Sequence, residues 1–85
     1  MNDIKYKIAE SIENILSESN NQNIRIKADQ YNMDLTLLGM ESLTFIRIIV
    51  SLEEIFDIRL PEEKLLMSEL NTVNKFAEII SHRNN

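Results

Sequence analysis

Cysteine, glycine and proline are absent or nearly absent from this sequence. There is no cysteine, and glycine and proline occur once each, as Gly39 and Pro61. Without cysteine the chain can form no disulfide, no thiolate nucleophile and no cysteine-ligated zinc site. So few turn-forming residues argue against a β fold rich in hairpins, and they favour helices.

Excess positive charge and long apolar runs are also lacking. The formal net charge is −5, so the chain offers no overall basic face for nucleic acid, and an anionic membrane surface would repel it. No apolar run approaches the ~20 residues that span a bilayer, and the N-terminal segment lacks the apolar centre of a signal peptide. We therefore expect a cytoplasmic protein whose partners present basic patches, because complementary charge speeds encounter.

What is present suits one small helical domain. The chain of 85 residues is 44% hydrophobic, which is enough for the core of a single domain over residues 1–85. The spacing of apolar residues predicts helices at about residues 3–17, 42–57 and 72–82. Pro61, followed by two carboxylates, is typical of a helix start and predicts a short helix at about residues 61–67. The expected fold class is therefore all-α.

Apolar residues three or four apart define the inner face of each predicted helix. The stripes are Ile4, Ile8, Ile12, Ile15 and Leu16 in the first helix, Phe45, Ile49, Leu52 and Phe56 in the second, and Val73, Phe76, Ala77 and Ile80 in the fourth. Phe56 and Phe76 are the expected anchors of the core. Leu65 and Leu66 of the short third helix should also turn inward.

A long segment without helical periodicity, about residues 18–40, separates the first two helices. Ile24 and Ile26 alternate with polar residues, but so short a run without a partner strand is weak support for a sheet. We predict an extended loop that these two isoleucines hold against the core. Loops longer than about 12–15 residues are uncommon and often functional.

The loop leads into Gly39-Met40-Glu41-Ser42-Leu43, where the longest apolar-periodic run begins. Ser42 therefore stands at the start of a helix, beside unpaired backbone N–H groups and the positive end of the helix dipole. Such an end suits a serine that carries a phosphate. A serine at a helix start can also act only as an N-cap, and this stretch alone leaves both interpretations open.

This stretch resembles the phosphopantetheine attachment motif of acyl carrier proteins and peptidyl carrier domains, usually Gly-x-Asp-Ser-Leu, with Glu41 in place of aspartate. Leu35 and Leu38, three residues apart before the glycine, match the same family. The segment 52–61 also resembles it, with an acidic pair, a phenylalanine and a proline in the same order. The resemblance covers nearly the whole chain and implies a four-helix bundle of acyl-carrier type, with three main helices, one short helix and a long first loop.

The resemblance implies a carrier and not an enzyme, without catalytic or metal-binding residues. A phosphopantetheinyl transferase would join 4'-phosphopantetheine from coenzyme A to Ser42, and the arm would hold acyl or aminoacyl groups as thioesters. The implied partners of this free-standing, monomeric carrier are an acyl- or amino-acid-activating ligase and ketosynthase, acyltransferase or condensation-type enzymes. The expected partner-binding residues are Glu41, Leu43, Ile46, Arg47, Val50, Glu53 and Glu54.

Two departures from the family pattern bear on the pathway. Carriers of the fatty-acid type usually have acids two and five residues after the serine, whereas this chain has Thr44 and Arg47. The difference favours a specialised fatty-acid, polyketide or nonribosomal peptide pathway over a housekeeping role. With Ile46 and Ile49 as the expected inward residues, Arg47 should be a lone exposed arginine that disfavours docking to basic enzyme surfaces.

Other classes of protein fit the sequence less well. A serine hydrolase needs Gly-x-Ser-x-Gly, and a calcium loop starting at Asp29 would need glycine and glutamate where Asp34 and Met40 stand. The remaining alternative is a helical protein–protein interaction module in which Ser42 is unmodified.

Because Glu41 is a weaker cap than aspartate, Ser42 itself is expected to help cap its helix.

Overall fold

Three α-helices and three short 3-10 turns form the computed structural model, which describes residues 3–83. The helices are α1 (Asp3–Asn20), α2 (Ser42–Phe56) and α3 (Val73–Arg83), and the turns are Ala28–Gln30, Leu35–Leu38 and Glu62–Lys64. The described residues contain no β-strand, which confirms the all-α class. α1 packs against both other helices. Within the described range, no helix combines the length and the apolar content needed to cross a membrane.

α1 continues past its predicted end at residue 17 and closes at Asn20. Asn21 follows in the left-handed conformation with φ of 53°, and the Gln22 N–H donates to the Ser17 carbonyl over 3.1 Å. Asparagine adopts this conformation more readily than most residues. A hydrogen bond to the carbonyl five residues earlier is common where a helix ends. The sequence pattern missed the last turn because the residues after Ser17 are polar and carry no apolar spacing.

The predicted third helix, at residues 61–67, is reduced to the single turn Glu62–Lys64. So short a segment forms too few hydrogen bonds to offset the cost of helix nucleation. Its position is instead fixed by the buried side chains of Leu60 and Leu70. Leu65 packs partly against the core, but Leu66 is 51% exposed, so the prediction that Leu66 turns inward is wrong.

The core lies between the three helices and includes side chains from both connecting segments. The predicted stripes of α1 and α3 are buried, except that Ile4 and Ile15 are half-buried at the edge. Within the core the rings of Phe45 and Phe76 have centroids 6.2 Å apart, a separation at which aromatic rings attract. Phe76 is fully buried, as predicted, but Phe56 lies half-buried at the rim because it ends α2, and Phe45 is the anchor in its place.

Candidate functional site

The long loop before Ser42 is fastened first to α1. Ile24 and Ile26 are buried, as predicted. The Ile24 N–H donates to Ser17 Oγ over 2.9 Å, and the Ile26 N–H donates to Glu13 Oε2 over 2.5 Å. Glu13 and Ser17 lie one helical turn apart, so polar side chains of α1 take the place of a partner strand. Residues 24–26 are thereby held against α1 without a sheet, whereas the rest of the predicted extended loop contains two 3-10 turns.

The middle of the loop is fastened to α3 and to Asn71 just before it. The Leu35 N–H donates to the Asn71 carbonyl over 2.7 Å, and the Asn74 N–H donates to the Tyr31 carbonyl over 2.9 Å. Leu35 itself is fully buried. These two backbone bonds, together with the buried leucine, hold the centre of the loop against α3.

The 3-10 turn Leu35–Leu38 directs the chain towards the serine, and Asp34 caps it. Asp34 Oδ1 accepts from the Thr36 hydroxyl over 2.7 Å and from the Thr36 N–H over 3.0 Å. These two hydrogen bonds, the hydroxyl's above all, stabilise the carboxylate and hold the pKa of Asp34 below its ordinary value. The cap fixes a turn that leaves Leu37 exposed.

Gly39 ends this turn at a position that favours glycine for two reasons. Its φ is 95°, in the left-handed region that other residues rarely adopt. A Cβ at this position would also lie 2.6 Å from Asn20 Nδ2 and 3.0 Å from Asn20 Cγ, inside normal contact distance. Met40 then turns into the core, and its N–H donates to the Leu35 carbonyl over 3.2 Å.

Ser42 is the first residue of α2 and not its cap. Glu41 is the cap residue, and its carbonyl accepts from the Phe45 N–H over 2.7 Å. The Thr44 hydroxyl accepts from the Glu41 N–H over 2.7 Å and donates to the Glu41 carbonyl over 2.9 Å. The expectation that Ser42 helps cap the helix is therefore wrong, because Thr44 closes the first turn from the position that a capping box uses.

The Ser42 side chain is exposed, and no hydrogen bond of its hydroxyl is found between residues 3 and 83. The first turn of α2 contains no acidic residue, and its backbone N–H groups point out of the helix end. A phosphate on this oxygen would lie at the positive end of the dipole and would displace no internal hydrogen bond. The residues present therefore fit a phosphate-linked group at Ser42.

Three apolar side chains of α2 are exposed in one stripe. Leu43, Ile46 and Val50 are 72%, 56% and 48% exposed, at spacings of three and four residues. The buried apolar residues of α2 are Phe45, Ile48, Ile49 and Leu52. The expectation that Ile46 faces inward beside Arg47 is wrong, whereas Ile49 is buried as expected.

Arg47 is exposed, but it is not alone. Its Nη2 lies 2.7 Å from Glu18 Oε1, and its Nη1 donates to Ser19 Oγ over 3.1 Å. The prediction of a lone arginine is therefore wrong. The side chains of the ion pair are 43% and 73% exposed, so the pair adds little to the free energy of unfolding.

The three predicted acidic contact residues differ in their surroundings. Glu41 and Glu54 are exposed. Glu53 is half-buried, and its Oε2 accepts from the Leu60 N–H over 2.9 Å, so one oxygen already holds the segment after α2. Glu53 and Glu54 lie about three turns, or ~16 Å, beyond Ser42 along the helix. Of these three acidic residues, Glu41 is therefore the one next to the serine.

Two residues of this region were not found by sequence reasoning. In the sequence, Thr44 stands out only because it replaces an acid of the family pattern. Its spacing from Glu41 is that of a capping box, and this is the signal that could have identified it. Asn20 gave no signal, because its Nδ2 bonds to the Leu38 carbonyl, which is 18 residues away along the chain. Contacts of this kind depend on the fold and leave no periodicity in the sequence.

Comparisons with known proteins add independent information about the chain. The protein family described as "Phosphopantetheine attachment site" matches residues 10–80, well over half of the sequence and including Ser42. A curated relative named "Acyl carrier protein homolog", from Ureaplasma parvum serovar 3 (strain ATCC 700970), is 28% identical over 68 residues. This match covers 78% of the chain and 88% of the relative. No solved structure gives a significant match.

Proposed function

The chain belongs to the family of proteins with a phosphopantetheine attachment site, and we propose that Ser42 is the residue that carries the 4'-phosphopantetheine arm. The observation that supports Ser42 is its exposed hydroxyl on the first residue of α2, for which no hydrogen bond is found within residues 3–83. Carriers of this family are not catalytic themselves. When bound, the arm supplies a terminal thiol that holds an acyl group as a thioester.

Attachment to Ser42 would be a transfer from coenzyme A, catalysed by a phosphopantetheinyl transferase. Ser42 Oγ forms a bond to the phosphorus of coenzyme A that bears the pantetheine, and the bond from that phosphorus to the bridging oxygen breaks. Adenosine 3',5'-bisphosphate leaves, and the hydroxyl proton passes to a base of the transferase. The chain contributes an accessible oxygen and a helix end that favours the phosphodiester product.

The proposed contact surface for the transferase and for later partners is the exposed stripe Leu43, Ile46 and Val50. Its support is that these apolar side chains follow Ser42 directly and are covered by nothing in the described chain. Exposed apolar side chains grouped in this way are typical of interaction sites. Glu41 would add negative charge next to the serine, which suits a partner with a basic surface.

For the cargo and pathway we propose an acyl group in a specialised pathway. The name of the Ureaplasma relative favours an acyl over an aminoacyl cargo. Thr44 is buried in the first turn of α2, so no acid is displayed at that position. Arg47 adds a positive charge further along the helix, partly offset by Glu18. Enzymes that select carriers by acids at these two positions would have fewer charges to bind here.

Because the chain has no cysteine, the proposal can be tested by counting thiols without a background signal from the protein. The chain has no thiol of its own, so the arm would supply the only one. The protein is incubated with coenzyme A and a transferase of broad specificity, and thiols are counted with a colorimetric reagent. We expect no thiol before the reaction, one per chain after it, and none in Ser42→Ala. A helical interaction module with an unmodified serine would show no thiol in either protein.

A further inference from the structure

The last turn of α1 contacts the chain on both sides of Ser42. Before the serine, Asn20 Nδ2 donates to the Leu38 carbonyl over 3.4 Å. After the serine, Arg47 of α2 bonds to Glu18 and Ser19 of the same turn. The loop and helix that meet at Ser42 are thus both attached to one end of α1.

Asn20 is the member of this turn with the most constrained surroundings. Its Nδ2 also donates to the Leu16 carbonyl over 3.0 Å, one turn earlier in α1, so the amide is held from both sides. Its side chain fills the space where a Cβ of Gly39 would lie, with three of its atoms within 3.0 Å of that point. The exposed ion pair of Arg47 is weaker by comparison, since solvent screens it. The path of the chain past Gly39 is therefore shaped by contact with Asn20.

We infer that Asn20 is a positioning residue for the modification of Ser42. It acts through Leu38 and Gly39, which stand just before the cap of α2, and it sets the direction from which the chain enters that helix. This inference rests on the proposed function, since it concerns the same serine. A hydroxyl displaced by a fraction of an ångström from its productive position reacts more slowly, even when the docking surface is unchanged.

The first experiment compares Asn20→Ala with the matched control Asn14→Ala as substrates of the transferase. Asn14 is exposed on α1 and makes no hydrogen bond found within residues 3–83. Rates are followed by intact mass. We expect kcat/KM to fall about five- to tenfold for Asn20→Ala, as expected for loss of one or two hydrogen bonds, and by less than about twofold for the control. The loss should lie in kcat more than in KM, because the exposed stripe of α2 remains available for docking.

The second experiment is a double-mutant cycle between Asn20 and Gly39. In the wild-type background Gly39→Ala adds a Cβ that meets the Asn20 side chain, whereas in the Asn20→Ala background this contact is gone. The loss of kcat/KM caused by Gly39→Ala should therefore be smaller in the second background. Circular dichroism checks that every variant is helical, and Asn20→Ser replaces Asn20→Ala if the latter is not.

Three outcomes distinguish the positioning role of Asn20 from the assignment of Ser42 as the attachment site. Lower kcat for Asn20→Ala with non-additive losses in the cycle supports the positioning role. Equal kcat/KM for Asn20→Ala and the wild type, or additive losses in the cycle, overturns that role and leaves Ser42 as the attachment site. A wild-type protein that accepts no arm would overturn the attachment site itself, and the positioning role with it.

Discussion

The two segments that connect the helices are both long, but they are held in different ways. The first, residues 21–41, leads into Ser42 and is bonded through its backbone to α1 and to α3. The second, residues 57–72, is fixed mainly by two buried leucines, Leu60 and Leu70. Between these leucines it contains one 3-10 turn and an exposed Leu66.

The difference shows how a segment without regular structure can place a reactive side chain. Buried backbone groups need hydrogen-bond partners, and in the first segment these are side chains of α1, the Asn74 N–H of α3 and the Asn71 carbonyl at the end of the second segment. The second segment contains none of the residues of the candidate site, and its position depends mainly on the hydrophobic anchors at its ends. Changes in the first segment should therefore affect both stability and modification, whereas changes to the exposed residues between the anchors of the second should affect neither strongly.

The largest expected contrast is between two leucines, one from each segment. Leu35→Ala removes a fully buried side chain and should lower the free energy of unfolding by ~2–5 kcal/mol. Leu66→Ala removes an exposed side chain and should change it by less than about 0.5 kcal/mol. Urea unfolding followed by circular dichroism measures both. Equal losses for the two variants would show that the second segment is as tightly packed as the first.

A smaller contrast concerns two residues with positive φ, Gly39 at 95° and Asp57 at 53°. Gly39→Ala should lower the free energy of unfolding by at least ~1–2 kcal/mol, because an L side chain is disfavoured at this φ and its Cβ would meet Asn20. Asp57→Gly removes the same kind of strain from the folded protein but raises the conformational entropy of the unfolded chain. The free energy of unfolding should therefore change by less than about 1 kcal/mol. Thermal unfolding of both variants tests the pair. A stable Gly39→Ala protein with unchanged melting temperature would mean that the turn before Ser42 tolerates another conformation.

The smallest expected effect is a pH dependence of the first segment through Asp34. Hydrogen bonds from Thr36 lower the pKa of Asp34 in the folded protein. A lowered pKa means that the ionised carboxylate stabilises the fold above the ordinary value of 3.8, and that this stabilisation is lost as the pH falls through the folded-state pKa. Asp34→Asn should therefore unfold at lower urea than the wild type at neutral pH, with the difference closing in acid.

The control for this pH dependence is Asp57→Asn in the second segment. The Asp57 carboxylate accepts no hydrogen bond found within residues 3–83, so its replacement removes a carboxylate without removing a cap of this kind. Urea midpoints of both variants and the wild type are measured from pH 7 down to pH 3. If the difference in urea midpoint between Asp34→Asn and the wild type stays constant over this range, the charge of the Asp34 carboxylate does not contribute to the cap.

The sequence predicted those parts of the molecule that depend on local spacing. The stripe of α3 beginning at Val73 follows from apolar periodicity, and the start of α2 at Ser42 follows from the change of pattern after Gly39. Errors appeared where packing at helix ends decides the outcome. Phe56 has the spacing of a core residue, but it ends α2 and lies at the rim.

The contacts that shape the candidate site could not be predicted in the same way. Asn20 reaches Leu38 only because α1 and the loop meet in the folded chain. Arg47 pairs with Glu18 across the interface between two helices, 29 residues apart in the sequence. Such polar contacts have no periodic signature. They follow from the fold and not from the residue types alone.

The most direct test of Ser42 as the attachment site is the mass of the protein purified from its native host. Intact mass and peptide mapping together measure whether an arm is present and which residue carries it. We expect one 4'-phosphopantetheine per chain, with or without an acyl group, on the peptide that contains Ser42. An unmodified Ser42 in all of the native protein, or an arm on any other residue, would contradict the assignment.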